Sequence, residues 1–259
     1  MKGFVKMIVA GVTIFIIGLI IMLVFMSLNG WTVNGNFEMK EYTCESDVTT
    51  LQLDLSAGTF ETVYTDDEKI IVEYPENHAF TTECTYDNGT LKITNQHKHW
   101  YNMVWFGTIP KATIKIPKGT VLNLDLEISA GKVNLDEAIY GNVNIELSAG
   151  SLNMSKSSCE RFDCDISAGS VTVDNLSCDN IDLDVSAGGF EACNVVCPQI
   201  NVHISAGSAQ FSISGAKSDY NFYIEKSAGS CNVESDRGNT DKTIRGNISA
   251  GSLNFDFSN

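Results

Sequence analysis

Val143-Asn144-Ile145-Glu146-Leu147-Ser148-Ala149-Gly150-Ser151-Leu152-Asn153-Met154 returns nineteen residues on as Phe162-Asp163-Cys164-Asp165-Ile166-Ser167-Ala168-Gly169-Ser170-Val171-Thr172-Val173. Apolar and polar side chains alternate on both sides of a Ser-Ala-Gly tripeptide. A period of two is that of a half-buried strand. The tripeptide occurs eight times, at Ser56, Ser129, Ser148, Ser167, Ser186, Ser205, Ser227 and Ser249. Four steps of 19 residues run from Ser129 to Ser205, and two steps of 22 follow. Such self-similarity is the mark of a repeat architecture.

The alternation changes phase across the tripeptide. Counting by twos from Leu147 puts Ala149 inside, yet the next apolar residue is Leu152. Ser-Ala-Gly therefore reads as a corner between two strands, with glycine absorbing the bend and alanine pointing inward where room is short. A phosphate-cradling glycine loop would need a helix N-terminus after it, and no helical period follows any copy. Two architectures suit the unit: a β-solenoid with one coil per repeat, or a meander of hairpins. A meander wants a two-residue turn at a fixed offset, and none recurs. The sequence predicts an all-β solenoid of about 19 residues per coil, in roughly eight coils, with equivalent residues stacked.

Outward from this core, residues 38–120 are less regular than residues 121–259. Leu51, Leu53 and Leu55, then Ile70, Ile71 and Val72, then Leu91 and Ile93, then Ile114 and Ile116 still read as strands. Asp87-Asn88-Gly89 marks a hairpin turn. The region is expected to cap the regular repeats within one β domain, 38–259.

The N-terminus is different. Met7 to Leu28 is 22 residues without a charge, about 33 Å of helix, enough to cross a membrane. Lys2 and Lys6 precede it, and Trp31 follows. These features predict a single-pass anchor at 7–28, with residues 1–6 in the cytoplasm, a linker at 29–37 and the β domain outside. A cleaved signal peptide would have a shorter apolar core and a small-residue cleavage site, which Met26-Ser27-Leu28-Asn29-Gly30 does not supply.

The net charge is −15. With Lys2 and Lys6 set aside, 15 of the 17 basic residues remain against 32 acidic ones. Such a surface disfavours nucleic acid and anionic lipid headgroups. Much of the acidity lies before the corners, in two columns: Asp125, Asn144, Asp163, Asp182, Asn201, and Glu127, Glu146, Asp165, Asp184, His203. Carboxylates about 5 Å apart in water repel by only ~0.8 kcal/mol per neighbour, so the ladder is tolerable without a ligand. Its alternative reading is a calcium-binding face using Asp125, Glu127, Glu146, Asp163, Asp165, Asp182 and Asp184. The chain has neither an EF-hand loop nor the calcium-binding nonapeptide of β-helices.

Other chemistry is sparse. Cys159, Cys178 and Cys197 are spaced to form one stacked column of small apolar side chains. Cys44 and Cys84 are open to pairing, but their spacing does not demand it. His97 and His99 have no evident third ligand, and His78 stands alone. There is no G-x-S-x-G elbow, H-E-x-x-H or phosphate loop, and a serine repeated eight times is no nucleophile. No catalytic residue and no cofactor are expected. An enzyme acting on polysaccharide through the paired carboxylates is the more distant alternative. The stretch Trp100-Tyr101-Asn102-Met103-Val104-Trp105-Phe106 interrupts the pattern. It caps the β core, lies on the membrane surface, or offers Trp100, Tyr101, Trp105 and Phe106 to a partner.

With its alternating strands, its Ser-Ala-Gly copies and the run Ile109-Pro110-Lys111-Ala112-Thr113-Ile114-Lys115-Ile116-Pro117, the chain resembles the bacterial β-strand-repeat proteins grouped as adhesin candidates of unknown function. The resemblance covers residues 38–259. It implies a bacterial envelope protein with a solenoid-like domain on an N-terminal helix, with an envelope protein or cell-wall component as partner. For some members it implies a link to envelope-stress or membrane regulation. No catalytic motif comes with it.

Overall fold

A computed structural model of the chain describes residues 37–77, 80–97, 111–238 and 240–258. The segment expected to be the anchor, 7–28, and the aromatic stretch, 100–106, lie outside them, as do His78 and His99. Among the described residues no helix is long and apolar enough to cross a membrane.

The described residues form strands almost throughout. The irregular part contributes β1 (Glu38–Cys44), β2 (Thr50–Leu55), β3 (Thr59–Thr65), β4 (Ile70–Glu76), β5 (Phe80–Asp87), β6 (Thr90–His97) and β7 (Ala112–Pro117). Then come β8 (Leu122–Ile128), β9 (Lys132–Asp136), β10 (Tyr140–Leu147), β11 (Ser151–Ile166), β12 (Ser170–Val185), β13 (Gly189–Val195), β14 (Gln199–Ile204) and β15 (Ser208–Ser214). The last are β16 (Tyr220–Lys226), β17 (Ser230–Cys231), β18 (Lys242–Ile248) and β19 (Ser252–Ser258).

The pairing is that of a solenoid. β11 lies parallel to β12 with Phe162 opposite Ile181 and Leu152 opposite Val171. β10 and β14 continue the ladder in the same nineteen-residue register. Alternate residues point inward, and Leu152, Met154, Phe162, Ile166 and their stacked equivalents are buried. A hairpin meander is excluded, since its neighbours would be antiparallel.

Each Ser-Ala-Gly is a corner, but not the one expected. The alanines at 130, 149, 168, 187, 206, 228 and 250 are exposed rather than inward. The corner keeps the backbone ladder running: Ser148 N donates to Ile128 O (2.9 Å), Ala149 N to Ser129 O (2.9 Å) and Ser151 N to Gly131 O (2.9 Å). Glycine is not there for its backbone angles, except at Gly58 (φ 105°). It is there because corner stacks on corner: a Cβ on Gly188 would sit 2.4 Å from Gly169 O.

A second corner went unread. Glu137, Lys156, Asn175 and Asn194 stand nineteen apart, and all have left-handed backbones (φ 48°, 46°, 56° and 54°). Left-handed geometry favours asparagine among side-chain-bearing residues. This corner and a further break at Glu160 split a coil into three runs, as in 151–155, 157–159 and 161–166.

The two ends depart from sequence order. β2 pairs with β8 on one side and β6 on the other, so the coil of Ser56 stacks directly on that of Ser129. Where the next corner would lie, buried Asn95 stands in: its Oδ1 accepts from Ser56 N (2.7 Å) and its Nδ2 donates to Ala57 O (2.6 Å). β5 and β6 form the hairpin expected at Asp87-Asn88-Gly89. At the far end β14 pairs with β18, not with β16, and β16 pairs with the opposite edge of β18. Ser249 N donates to Ile204 O (2.8 Å), and Ser227 N to Ile248 O (2.9 Å). The last coil in sequence is therefore inserted between its two predecessors.

Candidate interaction surface

The outward residues before the corner form straight columns. Asn144 lies opposite Asp125 and Asp163, and Glu146 opposite Glu127 and Asp165. Asp163 then meets Asp182, and Asp165 meets Asp184. Asn201 and His203 complete the two columns expected from the spacing. Asp54 adds a member beside Glu127.

A third column was not foreseen: Asn123, Asn142, Arg161, Asn180 and Gln199. The same nineteen-residue step would have shown it. Arg161 Nε lies 2.7 Å from Asp163 Oδ2, and its guanidinium lies 3.7 Å from Asp182 Oδ2. Asn144 Nδ2 donates to Asp125 Oδ1 at 3.0 Å. The first acidic column is thus partly neutralised by Arg161 of the neighbouring column. The second is not, and the carboxyl of Asp165 is raised by desolvation and then by Asp184 and Glu146.

Carboxylates in single file do not enclose a cation, which wants several oxygens around one point. Among the described residues no three His, Cys, Asp or Glu side chains converge.

The face after the corner has a different chemistry. Ser151, Ser170, Gly189, Ser208 and Ser252 form one outward column, and Asn153, Thr172, Glu191, Gln210 and Asn254 the next. Gly189 leaves a gap between its serine neighbours, and a depression of about 370 Å³ opens there. A larger cleft, about 520 Å³, lies at the second corner between Tyr64, Lys118, Ile139 and Lys156.

Cys159, Cys178 and Cys197 do stack. Cys159 is opposite Cys178, and the bridge from Ser177 to Val196 brings Cys197 into line. All eight cysteines are free, including Cys44 and Cys84.

Solved structures share this fold. A proposed adhesin from Bacteroides fragilis aligns with a TM-score of 0.52 at 11% identity, over 85% of this chain and 97% of its own. A proposed lipid-binding protein from Parabacteroides distasonis aligns with a TM-score of 0.52 at 16% identity, over 85% of this chain and 98% of its own. At such identities the likeness is one of fold. No curated protein matches. The family described as Toastrack DUF4097 matches over residues 48–259.

Proposed function

The chain belongs to the Toastrack DUF4097 family, and from that premise we propose that it is a membrane-anchored, extracytoplasmic interaction protein, adhesin-like or envelope-sensing and without enzymatic chemistry. The observation that carries this reading is the register. Eight corners stacked in one column hold the outward side chains of two faces in fixed files, so a partner would meet the same side chains again and again. Affinity then comes from many weak contacts made together.

The anchor rests on the uncharged run 7–28 with Lys2 and Lys6 before it. Positive residues stay cytoplasmic, which puts the β domain outside. The adhesin description of the structural neighbour supports the same role. For the partner, an envelope protein or cell-wall component, we assign Trp100, Tyr101, Trp105 and Phe106, since clustered aromatic side chains make strong contact sites.

Crosslinking and capture in intact cells test this. The native chain is compared with a Trp100→Ala/Trp105→Ala variant whose melting temperature shows that it folds. A partner captured by the native chain and lost with the variant upholds the reading. Equal capture by both removes the aromatic site and leaves the stacked faces. No capture by either overturns the proposal.

A further inference from the structure

The cysteine column goes beyond the interaction role just proposed. Cys159, Cys178 and Cys197 occupy successive coils at the same position, with relative exposures of 9%, 6% and 1%. The register is held by the backbone: Cys178 N donates to Val196 O (3.0 Å), and Val196 N to Leu176 O (2.8 Å). The central thiol lies against both neighbouring thiols, and its hydrogen bonds to Cys159 and Cys197, followed by burial, raise its pKa. At one end Tyr220 Oη closes the column by donating to the carbonyl of Cys197 (2.9 Å).

Three free thiols at the spacing of adjacent strands are within reach of bond formation. Neighbouring strands lie about 4.7–4.9 Å apart, inside the roughly 4.4–6.8 Å that a disulfide allows between its Cα atoms. In-line side chains keep the β-carbons near strand spacing, wider than the about 3.8 Å that a relaxed bridge prefers. A bridge here would carry strain, and strained bridges are the labile, exchanging ones. Cys159 and Cys197 are two coils apart, so any bridge must include Cys178.

We propose that Cys159, Cys178 and Cys197 form a dithiol–disulfide site that is oxidised by a low-molecular-weight disulfide and holds one bridge at a time, always through Cys178. Two protein S–H bonds break and one S–S bond forms. The small disulfide takes up both electrons and both protons and leaves as two thiols. Attack begins at Cys159, the most exposed of the three. A Cys159–Cys178 bridge can then pass to Cys178–Cys197 when the Cys197 thiolate attacks the Cys178 sulfur and releases Cys159. The number of electrons stored is unchanged by that step.

The test uses the full chain in detergent micelles, folded and exposed to oxidised glutathione. It is then alkylated, unfolded, digested and weighed. The expected result is a loss of 2 Da in a linked peptide pair, Cys159 with Cys178 or Cys178 with Cys197, the third cysteine being alkylated. Cys178→Ser should abolish every bridge in the column, while Cys197→Ser should keep the Cys159–Cys178 pair. If Cys178→Ser does not fold, the Cys159→Ser/Cys197→Ser variant is expected to form no bridge at Cys178. The proposal is overturned if the folded native chain forms no such pair, or if Cys178→Ser still joins Cys159 to Cys197. Neither result bears on partner capture.

Discussion

At the scale of single residues, the corner assigns unequal roles to neighbours that look alike in sequence. A Cβ on Gly169 would lie 2.5 Å from Leu147 Cδ2 and 2.7 Å from Gly150 O. The second contact is backbone and cannot swing aside. Gly169→Ala should therefore cost about 1–3 kcal/mol, as overpacking does, with Tm falling roughly 2–4 °C per kcal/mol. Ala168→Ser, next door and exposed, should stay within about 0.5 kcal/mol. Equal effects at the two positions would refute the stacked-glycine account. The sequence shows that all three residues repeat, but not which of them faces the core. That depends on how closely one coil lies on the next. Asn95 is similar: in the sequence it is one polar residue in a strand, and only the register makes it a cap. Asn95→Ala should destabilise by about 1–3 kcal/mol, because Ser56 N and Ala57 O lose their partners. Unchanged denaturant melting would contradict it. Asp165 carries a pH prediction. Its raised pKa means that the folded state holds the proton more tightly than the unfolded one. Stability from this group is present at low pH and is lost as pH rises through the folded value. Asp165→Asn should thus raise Tm slightly at pH 7, with the gain fading in acid and shrinking in high salt.

At the scale of strands and coils, period-two alternation and the nineteen-residue step were enough to read the strands, the parallel stacking and the file of Cys159, Cys178 and Cys197. The second corner was equally periodic but was hidden by its chemistry, since Glu137, Lys156, Asn175 and Asn194 share a backbone conformation rather than a residue type. The insertion of β18 between β14 and β16 was not legible at all. Each inward triplet, such as Ile200, Val202 and Ile204, is apolar enough to accept several neighbours, so hydrophobic pattern alone does not rank them. The order has a measurable effect. β18 is hydrogen-bonded along both edges, while β16 has a full partner on one side and a single antiparallel bridge, Phe222 with Asp236, on the other. In native-state hydrogen exchange, amides of β18 should outlast those of β16. The opposite ranking would disprove the inserted order.

At the scale of the whole molecule, charge and repetition act together. The two carboxylate files run side by side on one flat face, so their members repel along lines, and among the described residues no three of them converge on one point. Calcium should raise Tm no more than magnesium does at equal concentration. A calcium-specific rise of several degrees would restore the cation-binding reading. An array of coils also melts as a chain of neighbours rather than as one sphere, so its ends should loosen before Ser148–Val185. The two ends are the parts that least resemble the repeat, with Asn95 at one and the inserted coil at the other. The inserted coil has a consequence for how such a molecule can change size. Residues appended after β19 would emerge beside a strand already flanked by β15 and β17, with no free edge awaiting them. Between Ser129 and Ser205 the corners follow one another at a constant step, so a duplicated unit there would stack on its neighbours as the existing ones do. Family members built on this plan would then differ in length by internal insertions of whole coils, and their first and last arrangements would be inherited as fixed end-pieces.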